Sequence, residues 1–170
     1  MHSLRLASGA EALAARVRIA DAGGRRATGY GFTLNDEAIV ARDMAAWDAL
    51  AIARGLPLHA LFGAQPRATI PVCAAPAAEA LLLDPWRCLT LEELRRRATA
   101  AHGPVALLAP NAHPWELAWC AAVAAGLPRS APCVVAAGRS GELVLCESPG
   151  HGLDWSLEPG WARLNWTGED

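Results

Sequence analysis

The chain has 170 residues, 53% apolar and 19% charged, with a formal net charge of −2. This supplies ample material for a packed interior and excludes a disordered polar chain, and it leaves no basic footprint for nucleic acid. No apolar run approaches the roughly 20 residues that span a bilayer, and Met1–Ala15 lacks the basic-then-apolar order of a signal peptide, so the chain reads as cytoplasmic, with no membrane partner.

Residues 15–33 read as a β-hairpin. Val17 and Ile19 alternate with Arg16 and Arg18, the Asp21–Gly24 stretch is a turn, and Arg25–Phe32 returns. Gly29 and Gly31 around Tyr30 either weaken the second strand or let another backbone come close. A helix follows, with Asn35 as N-cap, Asp36 and Glu37 in its first turn and Gly55 as its stop. Ile39, Val40, Met44, Trp47, Leu50 and Ala51 form its apolar stripe. Pro57 opens a short helical turn that ends at Gly63, and Gln65-Pro66 reads as a lobe boundary.

The second half alternates strand-like and helix-like pieces, the order of parallel α/β units. Ile70–Ala75, Ala80–Leu83 and Pro104–Ala109 are strand candidates. Thr90 and Glu93 fit a capping box that starts a helix to about Ala101, with Leu91, Leu94 and Ala98 inward. Asn111 or His113, with Pro114, starts another helix to Ala125, closed by Gly126 and Pro128. Ala131–Ala137 and Glu142–Cys146 flank a hairpin-like turn, and the tail from Pro149 is loop-like, with Trp155, Trp161 and Trp166. These tryptophans either cover strand edges or form an interface.

All fifteen basic residues are Arg. GC-rich codon usage explains this on its own, but either way no ammonium group is present to act as a tuned base or to form a Schiff base. The five Cys are scattered without a C-x-x-C pair and indicate neither a disulfide framework nor a zinc site.

Gly29–Gly63 resembles the capping-domain segment of the mandelate racemase and muconate-lactonizing enzymes of the enolase superfamily. Ala41, Asp43, Ala45, Trp47, Asp48, Gly55, Pro57, Leu58, Leu61 and Gly63 stand in register with that family's A-x-D-x-A-x-W-D helix and its G-x-P-L-x-x-L-x-G continuation. Fainter echoes lie in Ala68–Ala75, in Leu81–Pro85 and in Gly141–Trp155. The resemblance implies an α/β fold: a capping-like lobe of hairpin and helices over 1–66, then a shortened, incomplete barrel-like lobe over 67–170. It also implies a divalent metal on three carboxylates, with flanking bases that abstract a proton α to a carboxylate.

Three departures bear on that machinery. The lysine base motif has no counterpart, Leu83 stands where a Glu ligand would, and the chain is short of the roughly 250 residues of a complete barrel. Asp84, at a strand end, is a candidate catalytic group or weak metal ligand, or else a turn-former. His113 is a candidate acid–base group and Glu116 a weak metal candidate, or the two are a capping His and a surface Glu. His151 between glycines is a candidate mobile acid–base group or a plain loop residue, with Tyr30 and Glu147 as candidate substrate-binding residues.

The leading expectation is a degenerate relative without catalysis of its own. It would be a homo-oligomer or the partner of a full-length enolase-superfamily protein, with a small carboxylate as a possible ligand. No cofactor is expected, and Mg²⁺ only if the ancestral activity survives. The competing expectations are a racemase-, lyase- or dehydratase-type enzyme with a non-standard site, and an unrelated α/β binding module.

Overall fold

The computed structural model of the protein describes residues 1–20, 22–62, 67–127 and 133–166. The lobe boundary at Gln65-Pro66, and the ends expected at Gly63 and Pro128, fall outside the described residues.

The N-terminal portion is a three-stranded antiparallel sheet, β1 (His2–Arg5), β2 (Glu11–Ala20) and β3 (Arg26–Thr33), in the order β1-β2-β3. The hairpin is present in register, with Val17 opposite Gly29 and Arg18 opposite Thr28. β1 escapes a pattern reading because its four residues are too few to show alternation. Helix α1 (Ala38–Arg54) lies on this sheet. Its N-cap is Glu37, without a side-chain bond, so Asn35, Asp36 and Glu37 all precede the helix instead of opening it. Asn35 is held instead by Thr33, whose hydroxyl accepts its N–H at 3.2 Å. Gly55 ends the helix in the left-handed region at φ 66°, as expected.

Where α1 meets Gly29 and Gly31 of β3 its buried stripe is alanine: Ala41, Ala45 and Ala49 are fully buried, while Ile39 is 47% exposed. The reason lies across the interface. A Cβ on Gly31 would overlap the Ala41 carbonyl oxygen and fall 2.6 Å from the Ala45 nitrogen, and one on Gly29 would overlap Ala45 and Ala49. Strand and helix backbones therefore meet directly, the close approach anticipated for these glycines. Trp47 is only half-buried, stacked at a tilt on Phe62 of the 3-10 turn Leu58–Phe62.

The second portion carries a five-stranded sheet of β4 (Thr69–Cys73), β5 (Leu81–Leu83), β6 (Val105–Leu108), β7 (Cys133–Val135) and β8 (Gly141–Val144). The order is β5-β6-β7-β4-β8, parallel except for β8, so β5 and β8 are the edges of an unclosed sheet. Residues 138–141 are therefore not a hairpin turn: after β7 the chain crosses β4, and β8 pairs antiparallel with the far edge of β4, Thr69 opposite Val144. Helices α2 (Leu91–Ala100) and α3 (Pro114–Ala125) cover the sheet. Thr90 caps α2 through Glu93 N–H at 3.2 Å, and Leu91, Leu94 and Ala98 are buried. One apolar core runs from Leu4, Phe32 and Met44 through Ile70 to Leu107, Trp115 and Val134. The architecture is α/β, with a shortened barrel-like second lobe. Among the described residues no helix is long and apolar enough to cross a membrane.

Candidate functional site

Asp48 sits on α1 where the helix faces β3 and the loop around His151, and it is 3% exposed. Its Oδ2 accepts the Tyr30 N–H at 2.9 Å and its Oδ1 the His151 N–H at 2.9 Å. The His151 ring is fixed as well. Nδ1 accepts the Leu153 N–H at 3.2 Å, which leaves Nε2 protonated and donating to the Tyr30 carbonyl at 2.8 Å. Burial pushes the His151 pKa down, and Asp48 and the Tyr30 carbonyl oppose the shift without cancelling it. His151 is thus a neutral, locked imidazole joining three segments, and not a mobile loop group.

A second node forms at the start of α3. Pro114 takes the first helical position, and His113 caps it as Nδ1 accepts the Trp115 N–H at 3.2 Å. Its Nε2 then donates to Glu158 Oε1 at 2.9 Å, while Glu158 Oε2 accepts the Ala7 N–H at 2.7 Å. Glu116 is fully buried, not a surface residue. It accepts from the Asn111 N–H at 2.9 Å, the Asn111 side-chain amide at 2.8 Å and the His113 N–H at 3.4 Å. Burial raises its pKa against those bonds. Between them Ala112 holds φ 49°, a left-handed strain that this grip sustains.

Asp84 stands apart from both nodes, after β5. Its Oδ1 accepts the Trp86 N–H at 2.9 Å and its Oδ2 lies 3.4 Å from Arg87 Nε, a turn-forming arrangement. Leu83 is buried in the core and Glu147 is exposed. Asp43 of α1 accepts the Leu91 N–H at 2.7 Å and so holds the start of α2.

Tyr30, half-buried, and His151 line a shared open cavity of about 350 Å³ with Asp48, Cys146 and Trp155. On the other side of the His151 loop a second cavity of about 270 Å³ lies between α3 and β8, with His59 and Arg139 among its walls. Neither residue stood out in the sequence: His59 lies in an otherwise apolar turn and Arg139 in a Gly-rich connection. Asp48 as a hub was missed too, although the Trp-Asp pair marked its position.

Among the described residues no group of three His, Cys, Asp or Glu is placed to hold a metal ion. Asp84 stands apart from Glu116, and the oxygens of both are engaged, so these two candidates do not fit a shared magnesium site.

No family model and no curated protein matches the chain. Among solved structures, the mandelate racemase/muconate lactonizing enzyme from Polaromonas sp. JS666 is similar at a TM-score of 0.48 and 13% identity, over 89% of this chain and 91% of that one. The corresponding protein from Roseovarius nubinhibens ISM gives 0.43 and 13%, over 88% and 92%. A racemase from Streptomyces coelicolor A3(2) with bound magnesium gives 0.29 and 17%, over 78% and 52%.

Proposed function

We propose that this chain is a shortened relative of the mandelate racemase and muconate-lactonizing enzymes that works without catalysis of its own, as an oligomeric subunit or ligand-binding partner in the cytoplasm. One observation carries the reading. His113, Glu116, Asp84 and His151 each have their polar atoms engaged with backbone groups or with other side chains, so they serve as architecture. The open edges β5 and β8 offer strand-pairing surfaces to a second copy or to a full-length relative.

Sizing the protein over a concentration series tests the assembly, and a monomer at every concentration overturns that part. Solvent-deuterium exchange at the α-carbon of small hydroxy- and unsaturated carboxylates, with a melting curve plus and minus Mg²⁺, tests the chemistry. The expected result is no exchange and no Mg²⁺-dependent rise in melting temperature. Exchange together with stabilisation by Mg²⁺ favours the second reading, a racemase-, lyase- or dehydratase-type enzyme with its site completed across an interface.

A further inference from the structure

The cavity between α3 and β8 has the composition of a ligand site. Its walls are apolar along two turns of α3, at Leu117, Ala118, Ala121 and Ala122, and along β8 at Leu143. Into that apolar volume opens His59, only 7% exposed. Its ring has no hydrogen-bond or ion-pair partner among the described residues, whereas the rings of His113 and His151 are fully engaged. An imidazole whose nitrogens meet no protein partner keeps its hydrogen-bonding capacity for a polar group bound in the cavity.

Charge sets what that group is. Arg139 reaches the cavity from the connection between β7 and β8, is exposed, and has no ion-pair partner among the described residues. Among the described residues no Asp or Glu lines the cavity. A guanidinium at the wall of an apolar slot, with no carboxylate among its described lining residues, favours an anionic head, which it can hold through two parallel N–H bonds. The volume of about 270 Å³ is at the small end for ligand pockets and limits the body to a short chain or a single ring. Asp84, the strand-end candidate, lines neither cavity.

We propose that this cavity binds a small amphiphilic anion, with its apolar body between α3 and β8 and its head on Arg139 and His59. The inference deepens the ligand-binding reading and rests on it, but it concerns a site that none of the sequence candidates except His151 touches. The shared chemistry is a single anionic head on a short apolar body, and carboxylate and phosphate monoester remain its two sources.

The test is titration calorimetry with hexanoate, butyl phosphate and the neutral hexanamide, paired with methyl NMR of Leu117, Ala118 and Leu143. Saturable binding of one or both anions is expected, at least tenfold tighter than hexanamide, with shifts at those methyls. The stronger of the two anions identifies the head group. R139Q is expected to abolish the preference for anion over amide, H59Q to weaken both, and A118L, which fills the slot from a half-buried position, to remove binding. R139Q changes an exposed residue and is expected to leave melting unchanged, which keeps the test valid if H59Q unfolds. Equal binding of anion and amide, shifts confined to other residues, or undiminished binding in A118L overturns the site. Those outcomes leave the exchange and sizing results untouched, so the two readings fail separately.

Discussion

The carboxylate of Asp48 and the imidazole of His151 lie 3.5 Å apart with side chains only 4% and 3% exposed, and the two residues also share a backbone N–H bond. They join α1 to a loop more than a hundred positions further along the chain. Because Asp48 holds Tyr30 as well, this one carboxylate sets the spacing of helix, strand and loop.

Removing it leaves two buried N–H groups without an acceptor. Asp48→Ala is expected to cost about 3 kcal/mol, from two lost charge-assisted bonds and the orphaned donors. For a chain of this size that lowers the melting temperature by roughly 6–12 °C. Asp48→Asn keeps both carbonyl-side geometry and bulk, but offers one acceptor oxygen instead of two, so it should fall between wild type and Ala. Urea unfolding of the three proteins checks the order, and an unperturbed Ala variant refutes the hub.

His151 gives the fold a pH dependence of defined sign. Its folded pKa lies below the ordinary imidazole value of 6.5, so on acidification the unfolded chain takes up the proton first. Its contribution is fully present above 6.5 and is lost as pH falls from there through the folded value. Glu116 and Asp43, both raised by burial, act in the opposite direction, but nearer the carboxylate range. Wild type should therefore lose stability as pH falls below 6.5, and His151→Gln should flatten that slope. Equal slopes in urea midpoints would sink the assignment.

The legible parts of this fold were those written in local chemistry. Thr90 with Glu93, His113 with Pro114 and Gly55 each mark a helix end through bonds made within a few residues, and the structure places all three helix ends there. The capping-type helix was legible because Trp47, Asp48 and their neighbours form a run of fixed spacing. Strand order was not legible. Nothing in residues 138–141 distinguishes a hairpin from a crossover, since the partner of β8 is decided by β4, some 70 positions earlier. The site candidates shared that limit: a His or Glu looks the same in sequence whether it faces solvent or a backbone N–H. Burial of Glu116 and the open ring of His59 depend on residues distant in the chain.

Contact between β3 and α1 predicts a severe steric effect from a small change. Gly31→Ala places a methyl on the Ala41 carbonyl and within 2.6 Å of the Ala45 nitrogen, where only backbone atoms could yield. The expected cost is at least about 3 kcal/mol, in the range reserved for overpacking and backbone displacement. Gly24→Ala serves as contrast: its Cβ would meet nothing within 4 Å, but its φ of 77° strains an alanine. That variant should lose about 1 kcal/mol. Equal losses in the two variants, measured by denaturant unfolding, would mean that backbone conformation and not the interface sets the cost.

Glu158 predicts how the tail is held. It bridges the Ala7 N–H and the His113 ring while 5% exposed, and it stands between two aromatic anchors, Trp155 and Trp161, whose rings stack at 3.8 Å. That stack covers Trp115, whose indole N–H donates to the Asp154 carbonyl at 2.8 Å. Glu158→Ala leaves a buried N–H and a protonated ring nitrogen without acceptors, at an expected cost of about 2–4 kcal/mol. The loss should first appear locally. Limited proteolysis is expected to cut near Leu157 well before the N-terminal sheet opens, with a red shift in tryptophan emission as Trp155 and Trp161 become hydrated. Glu158→Gln retains an acceptor for one donor and should protect the tail partially. If cleavage in the Ala variant instead begins in the β2–β3 hairpin, the tail is held by the aromatic stack alone, and Glu158 is not its clasp.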